Sequence, residues 1–306
     1  MFDGKSLRGI VSYVPTVFTD SGLVDEERNR ENYRRLIDAG MHGLQTLGSA
    51  AEFFSLTLAE HETLVGILTE EVQRTDRRVV TMVGCGSHGL IEAIARAKVA
   101  RRYGIDAAML ISPYYFPLDV AGVAIYLEKV AAAVPDLALV HYNSPSTKMV
   151  LTSRDYAQMK HIKSLVATKQ ALLTPVAWRD MQEQAGHLNH MDCDDHCMFS
   201  FMNGATAVDL MISAMRPRLA LQLYEACAEG NWEAALPLQQ YVWDIMRDVN
   251  YGFVEGHGYS DCTGDKALVE ASGFLHGGDP RAPYVPMTAE HKAELAQRMA
   301  KYPDVE

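Results

Sequence analysis

A lysine at the end of an apolar run is the residue with the clearest potential for chemistry. Lys169 follows Leu165-Val166-Ala167-Thr168, in which two β-branched residues favour a short buried strand. A buried ammonium loses its hydration, so it needs either a partner or a lowered pKa that leaves a free amine. A free amine is a nucleophile toward a carbonyl carbon. The alternative is a lysine whose charged head reaches solvent and has no chemical role.

Other polar side chains follow further apolar runs of the same kind. The candidates are Ser49, Glu52, Tyr114, Tyr115, Tyr142, Asn143, Asp194, Asp195 and Asp209. Each has a structural explanation when taken alone, because strand-end tyrosines often pack at a rim and small residues often form a tight turn. For Glu52 we favour a structural carboxylate that holds its turn. Placed together, these residues predict one site that combines an amine, two phenols and a short hydroxyl.

The elements that would position these residues alternate along most of the chain. We predict strands over 9–18, 43–47, 79–84, 107–111, 137–142, 165–169, 187–190 and 205–210. We predict helices over 25–39, from 57, and over 87–103, 119–133, 153–160, 175–185 and 195–202. This alternation indicates an α/β protein with a (β/α)8 TIM barrel, whose chemistry lies at the C-terminal ends of the strands. A doubly wound open sheet is the alternative, although no Gly-x-Gly-x-x-Gly follows the first strand.

The chain beyond residue 216 shows a different pattern, with helices only. They are predicted over 217–229, 231–248, 265–275 and 288–300. We therefore predict a barrel over residues 1–216 that carries the active site, and a C-terminal helical extension over residues 217–306.

Composition narrows the possible partners. The chain has 306 residues and a net charge of −11 without any basic run, so no nucleic-acid partner is expected. No apolar stretch is long enough to span a membrane, and residues 1–5 lack the apolar core of a signal peptide. Five cysteines, an odd and scattered set, favour a reducing cytoplasm over a disulfide framework.

The run His190-Met191-Asp192-Cys193-Asp194-Asp195-His196-Cys197 is dense in metal-ligand types. Its spacing fits no closed zinc template, and no His-x-His follows the first strand. We interpret the run as surface carboxylates with a helix-capping aspartate and predict no metal site. A metal-dependent barrel hydrolase and a catalytically silent binding protein remain as alternatives of other classes.

Four short motifs lie at or near the predicted strand ends. They are Gly48-Ser49-Ala50-Ala51-Glu52, Pro113-Tyr114-Tyr115, Tyr142-Asn143-Ser144-Pro145 and, less complete, Gly204-Ala205-Thr206-Ala207. Together with Lys169, 27 residues after Tyr142 (169 − 142), they resemble the motifs of the dihydrodipicolinate synthase / N-acetylneuraminate lyase family. This family comprises pyruvate-type class I aldolases, and the resemblance covers nearly the whole chain.

The resemblance implies a role for each matching residue. Lys169 would form a Schiff base with the keto carbon of pyruvate or another 2-oxo acid, and Tyr142 would carry protons as general acid and base. Ser49, with the backbone N–H groups of Ser49 and Ala50, would bind the carboxylate. Ser49 and Tyr115 would relay protons to Tyr142, with Tyr115 lent by a neighbouring subunit. The family also implies a homotetramer.

Several positions depart from the family's pattern. Ala51 replaces the second glycine of the turn, which implies a reshaped turn if that glycine serves a positive φ. Thr147, followed by Lys148, stands where the lysine-biosynthesis synthase has an arginine, and a lysine cannot reproduce the bidentate grip of an arginine on a carboxylate. Asp209 stands where a small hydroxyl residue is frequent. We predict that Lys148 and Asp209 contact the second substrate.

The predicted activity follows from the resemblance. We expect a Schiff-base lyase that makes or breaks a carbon–carbon bond between a pyruvate-like acid and an aldehyde, without a cofactor. The segment after Tyr142 and the Asp194-Asp195 pair look similar to hydratase-aldolases that cleave aryl-substituted unsaturated pyruvates. Dehydration of a 2-oxo sugar acid through the same imine is the alternative. A depressed pKa is expected to leave Lys169 a free amine at working pH.

Overall fold

Eight parallel strands form a barrel in the structure, a computed structural model that describes residues 2–171 and 173–306 and leaves Met1 and Leu172 outside. The strands are β1 (Gly9–Val14), β2 (Gly43–Thr46), β3 (Val80–Gly84), β4 (Ala107–Ile111), β5 (Ala138–Asn143), β6 (Leu165–Gln170), β7 (Asn189–Met191) and β8 (Ala207–Leu210). They pair in the order β7-β6-β5-β4-β3-β2-β1-β8. A parallel bridge between Asp192 and Val208 joins the end of β7 to β8 and nearly closes the barrel. This arrangement confirms the predicted TIM-barrel fold.

Helices follow the strands and surround the barrel. They are α1 (Glu26–Asp38), α2 (Leu58–Val72), α3 (Leu90–Arg102), α4 (Val120–Ala133), α5 (Ser153–Gln158), α6 (Pro175–Ala185), α7 (Cys197–Met202), α8 (Pro217–Ala228), α9 (Trp232–Ile245), α10 (Asp261–Ser272) and α11 (Ala289–Met299). The start of α2 illustrates local control by sequence. Thr57 Oγ1 accepts a hydrogen bond from the N–H of Glu60, whose carboxylate accepts from the N–H of Thr57. These two bonds form a capping box.

Three element boundaries differ from the prediction by four residues or more. β1 ends at Val14, well before Phe18, because Pro15 has no N–H for the sheet ladder. The helix predicted to end at residue 248 does not end there, because α9 is followed directly by a π-helix over residues 246–255. α10 begins at Asp261 rather than at 265, with Ser260 in an extended conformation at its N-cap.

Side chains of alternate strand residues fill the barrel interior in layers. An inner apolar layer includes Val11, Val140, Ala167 and Ala207. Two residues further along the same four strands, the side chains again point inward, because the side-chain period of a strand is two. These positions hold Tyr13, Tyr142, Lys169 and Asp209, all of which line one cavity at the C-terminal end of the barrel. The strand period therefore brings polar groups from distant parts of the chain to one level.

The C-terminal helices pack onto the barrel. α8 contacts β1 and α7, and α10 reaches the barrel mouth, where Lys266 pairs with Glu52. Gln239 of α9 donates a hydrogen bond to the carbonyl of Asp194, which follows β7. The proposed boundary at residue 216 remains a prediction. Within the described ranges, no helix is both long enough and apolar enough to cross a membrane.

Candidate active site

A cavity of about 200 Å³ lies at the C-terminal ends of the barrel strands. Its lining includes five of the predicted site residues: Ser49, Ala50, Tyr142, Lys169 and Asp209. A larger groove, of about 1060 Å³, lies between the β1–α1 connection and the extension, and none of the predicted catalytic residues lines it. The small cavity is therefore the place where the predicted chemistry can occur.

Lys169 is held by three neighbours from three other strands. Its Nζ lies 3.0 Å from Oδ2 of Asp209 on β8 and donates a hydrogen bond of 3.3 Å to Oε1 of Gln45 on β2. The same Nζ lies 4.9 Å from the ring centroid of Tyr142, whose backbone is paired with that of Lys169 between β5 and β6. The lysine side chain is only 18% exposed. Its amine is therefore fixed in place and faces the cavity.

The charge state of Lys169 differs from the one expected from burial alone. Burial disfavours the ammonium, but the carboxylate of Asp209, close to Nζ, outweighs this effect and raises the pKa of Lys169 above its ordinary value. The expected depressed pKa is thus wrong for the resting protein. The sequence could not show that a carboxylate from β8 would lie beside a lysine from β6. Any reaction of this amine must begin with loss of a proton.

The turn after β2 leaves backbone donors free toward the cavity. Its own hydrogen bonds use the N–H groups of Glu52 and Phe53, and no described backbone carbonyl accepts from Ser49 or Ala50. Positive φ occurs at Leu47 (59°) and Glu52 (55°), and not at Ala51. The missing family glycine therefore does not force a strained residue at position 51. Two free N–H groups beside a serine hydroxyl can hold a carboxylate without a charged side chain.

Gly48 in this turn has a specific steric role. A Cβ built on it would lie 2.5 Å from Nε2 of Gln45, far inside van der Waals contact. The glycine therefore lets the Gln45 amide pack against the turn while its oxygen accepts from Lys169. Gln45 was not among the predicted site residues, although a polar side chain in the middle of a buried strand was a usable signal.

Glu52 is a structural carboxylate, as its interpretation from sequence favoured. Its Oε1 lies 2.8 Å from Nζ of Lys266, and both side chains are fully buried. Its Oε2 accepts a hydrogen bond of 3.0 Å from the N–H of Arg281. Burial lowers the pKa of Lys266, and the Glu52 carboxylate opposes that shift. The pair ties the turn after β2 to the C-terminal extension.

Replacing Lys266 by methionine is expected to lower the free energy of unfolding by about 3–5 kcal/mol, because Glu52 keeps a buried charge without its partner. Urea unfolding at neutral pH measures this change. The Glu52→Gln/Lys266→Met double variant should recover much of the loss, since no uncompensated charge remains. The exposed Arg179–Glu183 pair is a matched control, and Arg179→Met should cost far less, because water screens an exposed ion pair. A loss for Lys266→Met no larger than that of the control would contradict the buried-pair interpretation.

Tyr115 and Lys148 lie outside the cavity. The Tyr115 side chain is 71% exposed and packs edge-on against Phe116, so Ser49, Tyr115 and Tyr142 do not form a relay within one chain. Lys148 is exposed, and its Nζ donates to the carbonyl of Tyr115 at 3.4 Å. Substrate contact by Lys148 and the lending of Tyr115 to a neighbour both remain predictions.

Asn143, also a candidate, has a structural role. Its amide donates to the carbonyl of Leu151 and to Oε1 of Gln170, and its Oδ1 accepts from the N–H of Leu151. These bonds fold the loop after β5 back onto the barrel. Asn143 therefore positions this loop and the end of β6, one residue beyond Lys169.

The acidic run after β7 differs from its interpretation as surface carboxylates. Asp194 is buried, and its carboxylate accepts hydrogen bonds from the N–H groups of Met211 and Ile212 at 2.9 and 2.8 Å. Burial raises the pKa of Asp194 to about 7, against the effect of these two bonds. It thus caps the turn after β8 and not its own helix. Among residues 2–171 and 173–306, no three His, Cys, Asp or Glu side chains are grouped to hold a metal ion.

Three further polar residues, which were not predicted from the sequence, line the cavity. Tyr13 comes from β1, and Asp261 and Asp265 come from α10 of the extension. Tyr13 could have been found as a polar residue two positions after Val11 in a buried strand. The two aspartates had no such signal, because nothing in a helical pattern shows that it covers the mouth of a barrel.

The fold and the fixed amine place the protein among TIM barrels with a lysine in the cavity at the C-terminal end of strand six. A model of the Dihydrodipicolinate synthetase family matches residues 6–302, and the chain belongs to this family. Members of the family are Schiff-base lyases of the class I aldolase type, which confirms the predicted family and enzyme class. Membership does not favour the alternatives, whether dehydratase, metal-dependent hydrolase or silent binding protein.

Individual relatives agree with this assignment. The chain is 30% identical over 302 residues to the 4-hydroxy-tetrahydrodipicolinate synthase of Methanothrix thermoacetophila, covering 97% of this chain and 98% of the relative. Among solved structures, PhdJ bound to a substrate intermediate superposes with a TM-score of 0.87 at 23% identity, covering 98% of both chains. CdNal from Clostridium difficile, in complex with mannosamine, gives a TM-score of 0.85 at 22% identity over 96% of this chain and 99% of its own. At these identities, the two structures establish the fold.

Proposed function

We propose that the protein makes or breaks a carbon–carbon bond at the carbon next to the keto group of a 2-oxo acid, through an imine on Lys169. Pyruvate is the simplest such acid. The observation that carries this proposal is the Lys169 amine, fixed between Asp209, Gln45 and Tyr142 at the wall of a small cavity. A protonated imine withdraws electrons from the neighbouring carbon and so stabilises the enamine that forms during aldol chemistry.

Imine formation requires Lys169 to lose its proton first. Asp209 is the nearest base, at 3.0 Å, and its Oδ2 has no other hydrogen-bond partner among the described residues. In the proposed step, Asp209 takes the proton and the free amine attacks the keto carbon. The former carbonyl oxygen takes a proton from the new nitrogen and becomes the carbinolamine hydroxyl. Asp209 returns its proton to this hydroxyl, the C–O bond breaks as water leaves, and the protonated imine remains. The aspartate that stabilises the resting ammonium is thus also the base that removes its proton.

The substrate carboxylate would bind at the turn after β2. Ser49 and the free N–H groups of Ser49 and Ala50 supply donors there, on the same cavity as Lys169. No arginine is among the described residues that line this cavity. The substrate carboxylate would therefore be bound by N–H and O–H dipoles rather than by an ion pair. The 2-oxo acid would then present its keto carbon to Nζ.

Tyr142 would serve the bond-forming step. In the synthetic direction the enamine carbon attacks the aldehyde carbon, the carbonyl π bond breaks, and the new alkoxide takes a proton from the phenol. Cleavage reverses these transfers. The ring of Tyr142 lies against Lys169, so its phenol shares the cavity with the bound enamine.

Borohydride reduction in the presence of pyruvate tests the imine. The expected result is a stable adduct with the mass of a reduced pyruvate imine, located on Lys169 by peptide mapping. Borohydride alone and pyruvate alone are the controls. Absence of an adduct on Lys169, with pyruvate shown to be consumed or released by the protein, would rule out the proposed function.

Asp209→Asn is expected to lower the apparent pKa of Lys169 by at least about one unit, because the carboxylate that stabilises the ammonium is lost while burial remains. The pH dependence of Lys169 acetylation, followed by peptide mass, measures this pKa. Its alkaline rise should shift to lower pH in the variant. Asp195→Asn is the control, since Asp195 accepts a hydrogen bond from Tyr251 and does not contact Lys169. An unchanged or higher pKa in Asp209→Asn would contradict the assigned ion pair.

The exposed ring of Tyr115 suggests a role between subunits. Tyr115 and Phe116 are both more than two-thirds exposed, at 71% and 75%, and lie next to each other at the barrel mouth. We infer a homotetramer in which Tyr115 reaches a neighbouring cavity. Light scattering should give the mass of four chains, and a mass of one chain at working concentration would contradict the assembly.

The predicted cytoplasmic location remains part of the proposal. The cysteines at positions 85, 193, 197, 227 and 262 are all free thiols, as a reducing compartment favours. Recovery of the protein in the cytosolic fraction of its source cells would support this location, and recovery in an oxidising compartment would contradict it.

A further inference from the structure

The C-terminal extension contributes two carboxyl groups to the active-site cavity. Asp261 and Asp265, one helical turn apart on α10, both line it. Neither side chain forms an ion pair or a hydrogen bond with the residues that the structure describes. Burial and then the nearby charge of Asp261 raise the pKa of Asp265 well above its ordinary value. The two carboxyl groups therefore lie on one wall of the cavity without an ion-pair partner among the described residues, and the charge of Lys169 offsets only part of the effect on Asp265.

Tyr13 gives an independent indication of a ligand at the same wall. Its side chain is only 6% exposed and lines the cavity, and its hydroxyl has no hydrogen-bond partner in the part of the chain that the structure describes. A buried hydroxyl without a partner costs free energy unless a ligand or water completes its hydrogen bonds. The charges that most raise the pKa of Tyr13, after burial, are those of Asp265 and Glu52. The unpartnered phenol and the unpaired carboxyl groups thus belong to one part of the cavity.

The charges around the cavity exclude an anionic acceptor. Four carboxyl groups line it, those of Asp194, Asp209, Asp261 and Asp265, and Lys169 is the one basic side chain among the described lining residues. Lys169 is already paired with Asp209 and keeps a single positive charge as a protonated imine. A second carboxylate on the acceptor would therefore meet like charges and no cation.

An adjoining cavity gives the acceptor a route to this wall. It has a volume of about 300 Å³, shares Ser49 and Asp261 with the active-site cavity, and contains Tyr114 and Tyr284. Asp261 therefore stands where the two cavities meet. If the carbonyl group of the acceptor reaches the enamine on Lys169, the remainder of the acceptor molecule must lie near α10.

We propose that the acceptor aldehyde carries an ammonium group that binds between Asp261 and Asp265, beside the hydroxyl of Tyr13. A cation there favours the charged form of both carboxyl groups and offsets their repulsion, whereas a neutral hydroxyl would leave that repulsion in place. The inference rests on the proposed function, because it concerns the second substrate of the Lys169 imine. It assigns to α10 the choice of acceptor, a role distinct from the carbon–carbon chemistry of the barrel residues.

Three aldehydes of matched length test the proposal: 3-aminopropanal, 3-hydroxypropanal and 3-oxopropanoate. With saturating pyruvate, kcat/KM is measured for each by product mass in the wild type, in Asp265→Asn and in the Asp261→Asn/Asp265→Asn double variant. We expect the ammonium aldehyde to be preferred at least about tenfold in the wild type, and the preference to fall below about threefold in the double variant. Glu290→Gln removes one charge from the exposed start of α11 and should leave the preference unchanged.

Borohydride trapping of pyruvate on Lys169 is run on every variant and separates the two proposals. No adduct in the wild type means that the imine chemistry itself has failed. An adduct in all variants shows that the fold and the donor half of the site are intact. Given the adduct, the acceptor proposal is overturned if the three aldehydes react alike, if none reacts, if 3-oxopropanoate is preferred, or if the double variant keeps the ammonium preference.

Discussion

Replacing Lys169 by arginine is expected to reduce turnover by at least about four orders of magnitude, because no other amine lines the described cavity to form an imine. Arginine keeps a positive charge beside Asp209, so the variant does not leave a buried carboxylate unpaired. A guanidinium remains protonated and does not attack the keto carbon. Steady-state turnover with the identified acceptor, together with loss of the borohydride adduct, measures this effect.

Chemical rescue separates the loss of the amine from damage to the fold. Lys169→Cys should be as inactive as Lys169→Arg, and alkylation with 2-bromoethylamine restores an amine of nearly the same length at position 169. Activity and the borohydride adduct should then return together in part. The five native cysteines require the alkylated wild type as a control. Turnover within about tenfold of wild type in Lys169→Arg would remove this lysine from the mechanism.

Replacing Tyr142 by phenylalanine is expected to lower kcat by roughly a hundredfold or more, because general acid–base catalysis by a placed side chain contributes about 10²–10⁴-fold. The ring against Lys169 is retained, so its packing and the pyruvate site should change little. The expected pattern is a large loss in kcat with a smaller change in KM for pyruvate. The adduct with borohydride should still form on Lys169.

A second tyrosine provides the matched control for this loss. Tyr126 on α4 has a buried hydroxyl without a hydrogen-bond partner among the described residues, and it does not line the cavity. Tyr126→Phe removes the same atom and should leave kcat within about twofold of wild type. Near-normal kcat in Tyr142→Phe, or an equal loss in both variants, would exclude Tyr142 as the proton carrier.

The sequence was sufficient to predict the barrel and part of its site. Alternation of apolar runs and helical patterns is a local property of the chain, and it gave all eight strands in order. Because parallel strands end at one face, residues at those ends were expected to meet there. Ser49, Ala50, Tyr142, Lys169 and Asp209 do share one cavity.

The charge on Lys169 required the tertiary structure. The apolar run before the lysine indicated burial, and burial alone lowers a lysine pKa. The pKa of Lys169 is raised instead of lowered because Asp209, 40 residues later in the chain (209 − 169), lies 3.0 Å away on β8. A distance between two strand ends depends on their register and tilt in the closed barrel, which no local pattern specifies.

The sequence alone specifies the barrel, the lysine at the end of strand six and the motifs that match a family of Schiff-base lyases. The environment of that lysine, in contrast, is set by the tertiary structure. The pairing of Lys169 with Asp209, the buried tie from Lys266 to the turn at Glu52, and the placement of Asp261 and Asp265 over the cavity all join distant segments. The physical reason is that strand and helix patterns are local, whereas the strength of an electrostatic interaction depends on distances in the folded chain.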